Sequence, residues 1–348
     1  MPNDVYSPYK AAYHIERILA LRNNELIYPT QIQVDLTNQC NHHCVYCFSK
    51  FTINNGFGSL SIDTKDILKL LDDAVELGIK SFHFTGGGEP FMRSNIYEIL
   101  KRTVDNNLEY GMVTNASLID FNKSDLLKKM SWIRISLDAS NPSMYRRLRG
   151  VNEFDKVIQT VKDFYIICPD TELGLSFVIN PINYSQIVKF AELGLDLGVN
   201  NIRYSIAWFP QGQRKYVYIM NNINKLLNKA KKLENKDYKV FDLTKGRLEN
   251  LSLNNADYSS CGYQHFTTVI GADSVVYPCC TLKYNSLASF GSLKEQSFED
   301  IWMGQRRRRW IESSYLGEVC SKNICWMQDK NKFIGYLTKK NPRHVNFI

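Results

Sequence analysis

CNHHCVYC (residues 40–47) sets Cys40, Cys44 and Cys47 close together, with an aromatic residue, Tyr46, before the last. Three thiols this near one another, with no fourth beside them, pose a question. Either the site borrows a ligand from elsewhere, or one metal position is left open. Just upstream, QIQVDLT (residues 31–37) alternates apolar and polar residues as a strand does. The cysteines therefore follow the C-terminal end of the first strand, which is where parallel α/β folds gather their ligands.

Working outward, strand and helix signals alternate. DTKDILKLLDDAVE (residues 63–76) opens with a capping-box pattern and carries a helical period. KSFHFT (80–85), EYGMVT (109–114), WIRISLD (132–138), LGLSFVIN (173–180) and NIRYSIA (201–207) read as further strands. Helices are expected near residues 95–106, 124–129, 154–165 and 184–197. Such alternation predicts parallel strands with covering helices. Six units are fewer than a closed barrel needs, and no pattern for two more follows. The expected fold class is α/β: an open, partial (β/α)6 barrel over residues 31–210, after an N-terminal helical extension (1–30). GGGEP (86–90), TNAS (114–117) and the end of SLD (136–138) then converge on the same barrel face as the cysteines. Residues 211–257, with a Lys- and Asn-rich helix near 221–235, read as a connector. Residues 258–348 read as a smaller, cysteine-rich α+β domain.

The chain has 348 residues, enough for about two domains. Hydrophobic residues make up 44%, which supplies a sizeable core, and the formal charge of +8 suits anionic partners without singling out nucleic acid. No run of about 18 apolar residues suggests a membrane span. The start, MPNDVYSPYK, lacks the apolar core of a secretory signal. A cytoplasmic location is expected, so the nine cysteines read as metal or redox ligands in place of disulfides. Cys168 stands apart and reads as a core residue. QRRRRW (305–310) reads as a helix with its arginines mostly toward solvent, some countering anionic cluster ligands.

Thiolates suit zinc or an iron–sulfur cluster. A structural zinc completed by His42 or His43 is one reading. The other is a 4Fe–4S cluster held through three irons, with the fourth free to take a substrate or cofactor. CxxxCxxC after a first strand, with an aromatic residue before the last cysteine, resembles the radical S-adenosylmethionine (radical SAM) superfamily. The resemblance covers about residues 30–210. It implies that Cys40, Cys44 and Cys47 hold the cluster, whose open iron chelates SAM. One electron then cleaves SAM to methionine and a 5′-deoxyadenosyl radical that abstracts hydrogen from a substrate. By the same resemblance, the turn containing Gly87, Gly88 and Glu89 receives the SAM ammonium. It carries one glycine more than the commonest form. Asn115 and Ser136 would lie near ribose and methionine with Asp138 close by, Arg149 would pair with the SAM carboxylate, and Tyr46 would contact adenine. The structural alternative for each polar group is a rim or capping role.

CGYQHFTTVIGADSVVYPCC (261–280) and VCSKNICW (319–326) hold the remaining cluster of cysteines. GADSVVYPC (271–279) reads as a hairpin that delivers Cys279. The region resembles the SPASM/twitch extension of radical SAM enzymes. Five cysteines here are too few for two auxiliary clusters. The resemblance thus implies a twitch-like single auxiliary 4Fe–4S cluster on Cys261, Cys279, Cys320 and Cys325, although the last pair is spaced CxxxxC and zinc is the alternative occupant. Cys280 is an alternative ligand, a hydrogen-atom donor or a buried apolar residue. The expected function is hydrogen abstraction from a small polar, carbohydrate-like substrate, of dehydrogenase or epimerase type, with flavodoxin or ferredoxin as reductant. Only about 30 residues precede the first strand, too few for the leader-binding domain of many peptide-modifying members. A ribosomal-peptide maturase (epimerase or cross-linking) and a non-catalytic iron–sulfur carrier or scaffold are the competing expectations.

Overall fold

Seven parallel strands run in simple chain order in the computed structural model, which describes residues 5–49, 56–209, 214–244, 260–313, 319–320 and 325–340. They are β1 (Gln31–Asp35), β2 (Ser81–Thr85), β3 (Glu109–Thr114), β4 (Trp132–Ser136), β5 (Glu172–Ile179), β6 (Asn201–Ile206) and β7 (Lys239–Asp242). Sequential parallel strands need right-handed crossovers, and an unbroken order sends every crossover helix to the same face. That face is the core. Ile32, Val34, Phe82, Phe84, Ile133, Ile135, Ile202 and Tyr204 are buried there. Their alternate neighbours Gln33, His83, Arg134, Ser136 and Arg203 point to the opposite, concave face, where they are half-buried.

The helices follow the apolar period. After α1 (Ile15–Arg22), α2 (Thr64–Glu76) buries Ile67, Leu70, Leu71 and Ala74, one face of a helix. Asp63 precedes α2 but makes no side-chain cap bond, so the expected capping box does not form. Next come α3 (Ile96–Asp105), α4 (Ser124–Leu127), α5 (Pro142–Arg149), α6 (Phe154–Ile167), α7 (Ile187–Asp196) and α8 (Met220–Lys231). Cys168 ends α6 and is buried, as expected.

Two departures concern the sheet's edges. β7 lies in the stretch expected to be a connector, yet it pairs in parallel with β6 over residues Lys239–Asp242, and α8 packs beside it. The barrel thus has a seventh strand, which the six-strand reading missed. At the other edge, β8 (Thr267–Ile270) pairs in parallel with β1, β9 (Val275–Tyr277) turns back on β8, and β10 (Gly291–Ser292) pairs with β9. The cysteine-rich region therefore continues the barrel sheet. The expected hairpin is present, with Ser274 N–H bonded to Gly271 C=O and Ser274 at φ +66°.

The chain's ends meet. Ile18 and Ile27 share a second core with Phe266 and with Ile334 of the C-terminal helix. Two helices precede that one: α9 (Phe298–Met303) and α10 (Gln305–Glu312) lead to α11 (Gln328–Thr338). Arg22 Nε donates to Leu337 C=O at 2.7 Å. In α10, Arg306, Arg308 and Arg309 face solvent, but Arg307 is fully buried over the Trp302 ring at 3.6 Å and donates to the Trp302 carbonyl. Its role is packing, not the neutralisation of cluster ligands expected for some of these arginines. Among the described residues no helix is long and apolar enough to cross a membrane.

Candidate active site

The cysteine loop is held from three sides. Below it, the glycine turn presses on the backbone that leads out of β1. A Cβ on Gly87 would stand 1.9 Å from Asn38 Oδ1, and one on Gly88 would stand 1.9 Å from the Gln39 carbonyl oxygen. Gly88 N–H donates to Thr37 C=O and Glu89 N–H to Gln39 C=O, at 2.9 and 2.8 Å. A Cβ on Gly86 would also be tight against the Thr37 carbonyl at 3.0 Å. The extra glycine thus has a physical reason, which is close backbone approach.

Glu89 is buried and its carboxylate is occupied. One oxygen accepts from Thr114 Oγ1 (2.6 Å) and Phe91 N–H (3.1 Å), the other from Asn115 N–H (2.7 Å). Burial raises its pKa and these donors oppose the rise. Glu89 therefore braces the end of β2 against the end of β3. Asn115 in turn reaches the loop: its Nδ2 donates to Asn41 Oδ1 at 2.8 Å, and Asn41 Nδ2 donates to Ser117 Oγ at 2.8 Å.

On the third side stands the C-terminus of α5. His43 N–H and Val45 N–H donate to the carbonyls of Arg149 and Leu148, both at 2.9 Å. Gly150 ends the helix in a left-handed conformation (φ +73°), and a Cβ there would meet His43 Cβ at 3.0 Å. His42 is buried, bonded through Nε2 to Glu153 at 2.9 Å and set edge-on to Tyr145. It anchors the loop through this contact.

At the centre, Arg149 Nη1 donates to Cys44 Sγ at 3.3 Å, and Nη2 donates to Asp138 at 2.5 Å. The same Asp138 oxygen accepts from Tyr46 Oη at 2.5 Å, and its other oxygen accepts from Val178 N–H. Asp138 sits at φ +60°, a strained conformation of the kind found where function sets geometry. Burial alone would lower Arg149, but the fields of Tyr46, Asp138 and Cys44 outweigh it and hold the guanidinium charged. Its Nε is buried with no hydrogen-bond partner among the described residues. Burial pushes Cys40 up to about 11 and raises Cys44 against the pull of Arg149. Ser136, at the end of β4, meets Ser176 Oγ at 3.5 Å on the concave face.

The second cysteine group also assembles. Cys261, Cys279, Cys280, Cys320 and Cys325 all line one cavity of about 40 Å³. Cys261 Sγ lies 3.3 Å from Asn331 Oδ1, and Asn331 Nδ2 lies 3.8 Å from Cys325 Sγ. This buried asparagine on α11 has no sequence signal that marks it. Burial pushes Cys261 up to about 12 and Cys320 to about 11. Both groups fit clusters by their donors: a cationic hydrogen-bond donor beside Cys44, an orphaned donor on Arg149, and a thiol-lined cavity. Among the described residues no three His, Cys, Asp or Glu side chains stand as ligands of a single metal ion.

The auxiliary region also touches the barrel mouth. Lys283 and Asp35 of β1 form a buried ion pair, and Tyr284 Oη donates to Asn38 Oδ1 at 2.9 Å. Neither contact was anticipated from sequence.

Comparison with known proteins agrees with this division. The profile described as the radical SAM superfamily matches residues 34–194, and that of the iron–sulfur cluster-binding SPASM domain matches 261–326. A probable GTP 3′,8-cyclase of Saccharolobus solfataricus is 31% identical over 189 residues, 54% of this chain and 59% of that relative. The GTP 3′,8-cyclase of Petrotoga mobilis is 28% identical over 191 residues, 52% and 56% of the two chains. The chain thus spans less than two thirds of these relatives' length. Among solved structures, Streptococcus suis SuiB bound to S-adenosylmethionine superposes with a TM-score of 0.67 at 18% identity, covering 89% of this chain and 75% of that one. AnSMEcpe with bound AdoMet gives 0.64 at 16%, covering 89% and 94%.

Proposed function

We propose, for a chain that belongs to the radical SAM superfamily and carries a SPASM domain behind its barrel, that it abstracts hydrogen from a small polar substrate held on the concave face of the sheet. The 4Fe–4S cluster at Cys40, Cys44 and Cys47, with SAM, supplies a 5′-deoxyadenosyl radical. The protein supplies position and exclusion of water.

The observation that carries this reading is the set Cys44–Arg149–Asp138–Tyr46 with its orphaned Nε. Arg149 is held by Asp138 so that Nη1 supports the Cys44 thiolate while Nε remains for a carboxylate, the SAM methionine's in this reading. Because the Glu89 carboxylate already serves three protein donors, the carbonyls of residues 86–88 are the acceptors assigned to the SAM ammonium. Asn115 and Ser136 flank the cofactor from the ends of β3 and β4, and Tyr46 backs the adenine.

Cys261, Cys279, Cys320 and Cys325 hold one auxiliary 4Fe–4S cluster in this reading, a twitch-like count. It would accept an electron from the substrate radical and make the reaction a dehydrogenation. A second reading rests on Cys280, which lines the same cavity: its thiol returns a hydrogen atom and the outcome is epimerisation. SuiB, whose structure is also known with the precursor peptide SuiA, keeps a peptide substrate as an alternative.

Anaerobic incubation of the reconstituted protein with SAM and dithionite tests the reading. It predicts release of 5′-deoxyadenosine; an iron–sulfur carrier would release none. Once a substrate is found, turnover in D2O separates the outcomes, since epimerisation through a thiol places deuterium in the product and dehydrogenation does not.

A further inference from the structure

Asn38 stands where three segments of the chain meet, between the end of β1 and the cysteine loop. Its Nδ2 donates to Phe57 C=O at 2.7 Å, and its backbone N–H donates to Leu60 C=O at 2.9 Å. With Nδ2 spent on a carbonyl, the amide is oriented and Oδ1 is the atom that faces the glycine turn. It lies where a Gly87 side chain would begin, 1.9 Å from the place of a Cβ. There is no slack at such a contact, so the amide and the turn set each other's position. The hydrogen bond that this oxygen accepts comes from Tyr284 Oη at 2.9 Å.

Tyr284 belongs to the auxiliary region and lies 246 positions further along the chain. It reaches Asn38 from a left-handed backbone conformation, φ +63°, which is an outlier for so large a side chain. Such a conformation persists where the surroundings over-determine it. Here they do. Tyr284 Oη also accepts Ala272 N–H at 3.2 Å, within the hairpin that leads to Cys279. The ring lies 5.0 Å from that of Phe57 and 6.0 Å from that of Tyr277. Lys283, one residue earlier, is locked into the buried pair with Asp35 of β1. Burial, then the charge of Asp35, pushes the phenol up to about 12, so the hydroxyl keeps the proton it donates. One hydroxyl thus joins the hairpin of the second cysteine group to the side chain that backs the glycine turn of the first.

We propose that Tyr284 is a positioning residue of the SAM site: through Asn38 it holds the turn of residues 86–88 in the form that receives the SAM ammonium. The inference rests on the reading that this turn receives SAM. It goes beyond that reading by giving the auxiliary region a second task, setting the affinity of the first site from outside the barrel.

Isothermal titration of the anaerobically reconstituted full-length protein with SAM tests it. Tyr284→Phe keeps the ring and removes the hydroxyl. It should weaken SAM binding about fivefold or more, with iron per chain unchanged. Asn38→Ala removes the acceptor and leaves Tyr284 in place, and should weaken binding to a similar extent. The double variant should bind no more weakly than the weaker single one, because both changes break the same link. Tyr28→Phe is the control. It removes a hydroxyl bonded at 2.6 Å to Glu299 of α9, another contact between barrel and auxiliary region, and should leave SAM affinity unchanged. If Tyr284→Phe fails to fold or loses iron, Asn38→Ala carries the comparison. Wild-type affinity in either folded, iron-loaded variant, or additive losses in the double variant, overturns the proposal and leaves Tyr284 as packing against Phe57 and Tyr277. Failure of both single variants to fold marks the link as structural and overturns it too. Absence of SAM binding by wild type would contradict the radical SAM reading itself and the inference with it, so the two failures are told apart.

Discussion

Arg149 concentrates the chemistry of the proposed SAM site in one side chain. Its carbonyl receives a loop N–H, Nη1 supports Cys44, Nη2 is paired with Asp138, and Nε awaits a partner. Lysine in its place keeps a charge but has neither the fork nor an Nε. Arg149→Lys should therefore lower the rate of 5′-deoxyadenosine formation about tenfold or more while iron content stays near wild type. Loss of the cluster itself would show that the arginine serves only the loop. The cysteines and Arg149 were legible in the sequence, because an ordered set of motifs resembled a family. The pairing of Arg149 with Cys44 was not, since 105 positions separate them and no local pattern encodes the contact. Likewise no local pattern links His42 to Glu153, 111 positions away, and only the fold brings the two together.

At the scale of elements, the site depends on three short segments that hold the loop, two of them backbone to backbone and one through side chains. The glycine turn lies against residues 37–39, β3 reaches the loop through Asn115 and Asn41, and the end of α5 docks on residues 43–45. Gly150 joins two of these demands, left-handed backbone and close approach to His43. Gly150→Ala should cost about 1–2 kcal/mol of stability from the left-handed conformation alone. It should also slow cluster reconstitution, read as iron bound against time, because the loop must shift by the width of a methyl group. A change in denaturation midpoint with unaltered reconstitution would confine Gly150 to capping the helix. Strand and helix alternation through β6 was readable because each element has a clear period and length. β7 escaped because it is four residues long and follows a Lys- and Asn-rich helix, leaving little pattern to detect.

Over the whole molecule, the auxiliary region is an extension of the barrel sheet. Parallel pairing of β8 with β1, the buried Lys283–Asp35 pair and the shared core of Ile18, Ile27, Phe266 and Ile334 join it to the barrel. Two sets of thiols thus belong to one continuous scaffold. The domain sequence could be read from cysteine spacing, but this joining could not, because it consists of contacts between distant parts of the chain. The central claim is that Cys40, Cys44 and Cys47 form one cluster site and the C-terminal cysteines another. Electron paramagnetic resonance and iron analysis of the reconstituted protein with all three of Cys40, Cys44 and Cys47 replaced by alanine test it most directly. The account predicts about four irons per chain, a persistent reduced-cluster signal and no cleavage of SAM; loss of every iron–sulfur signal, or continued release of 5′-deoxyadenosine, would contradict it.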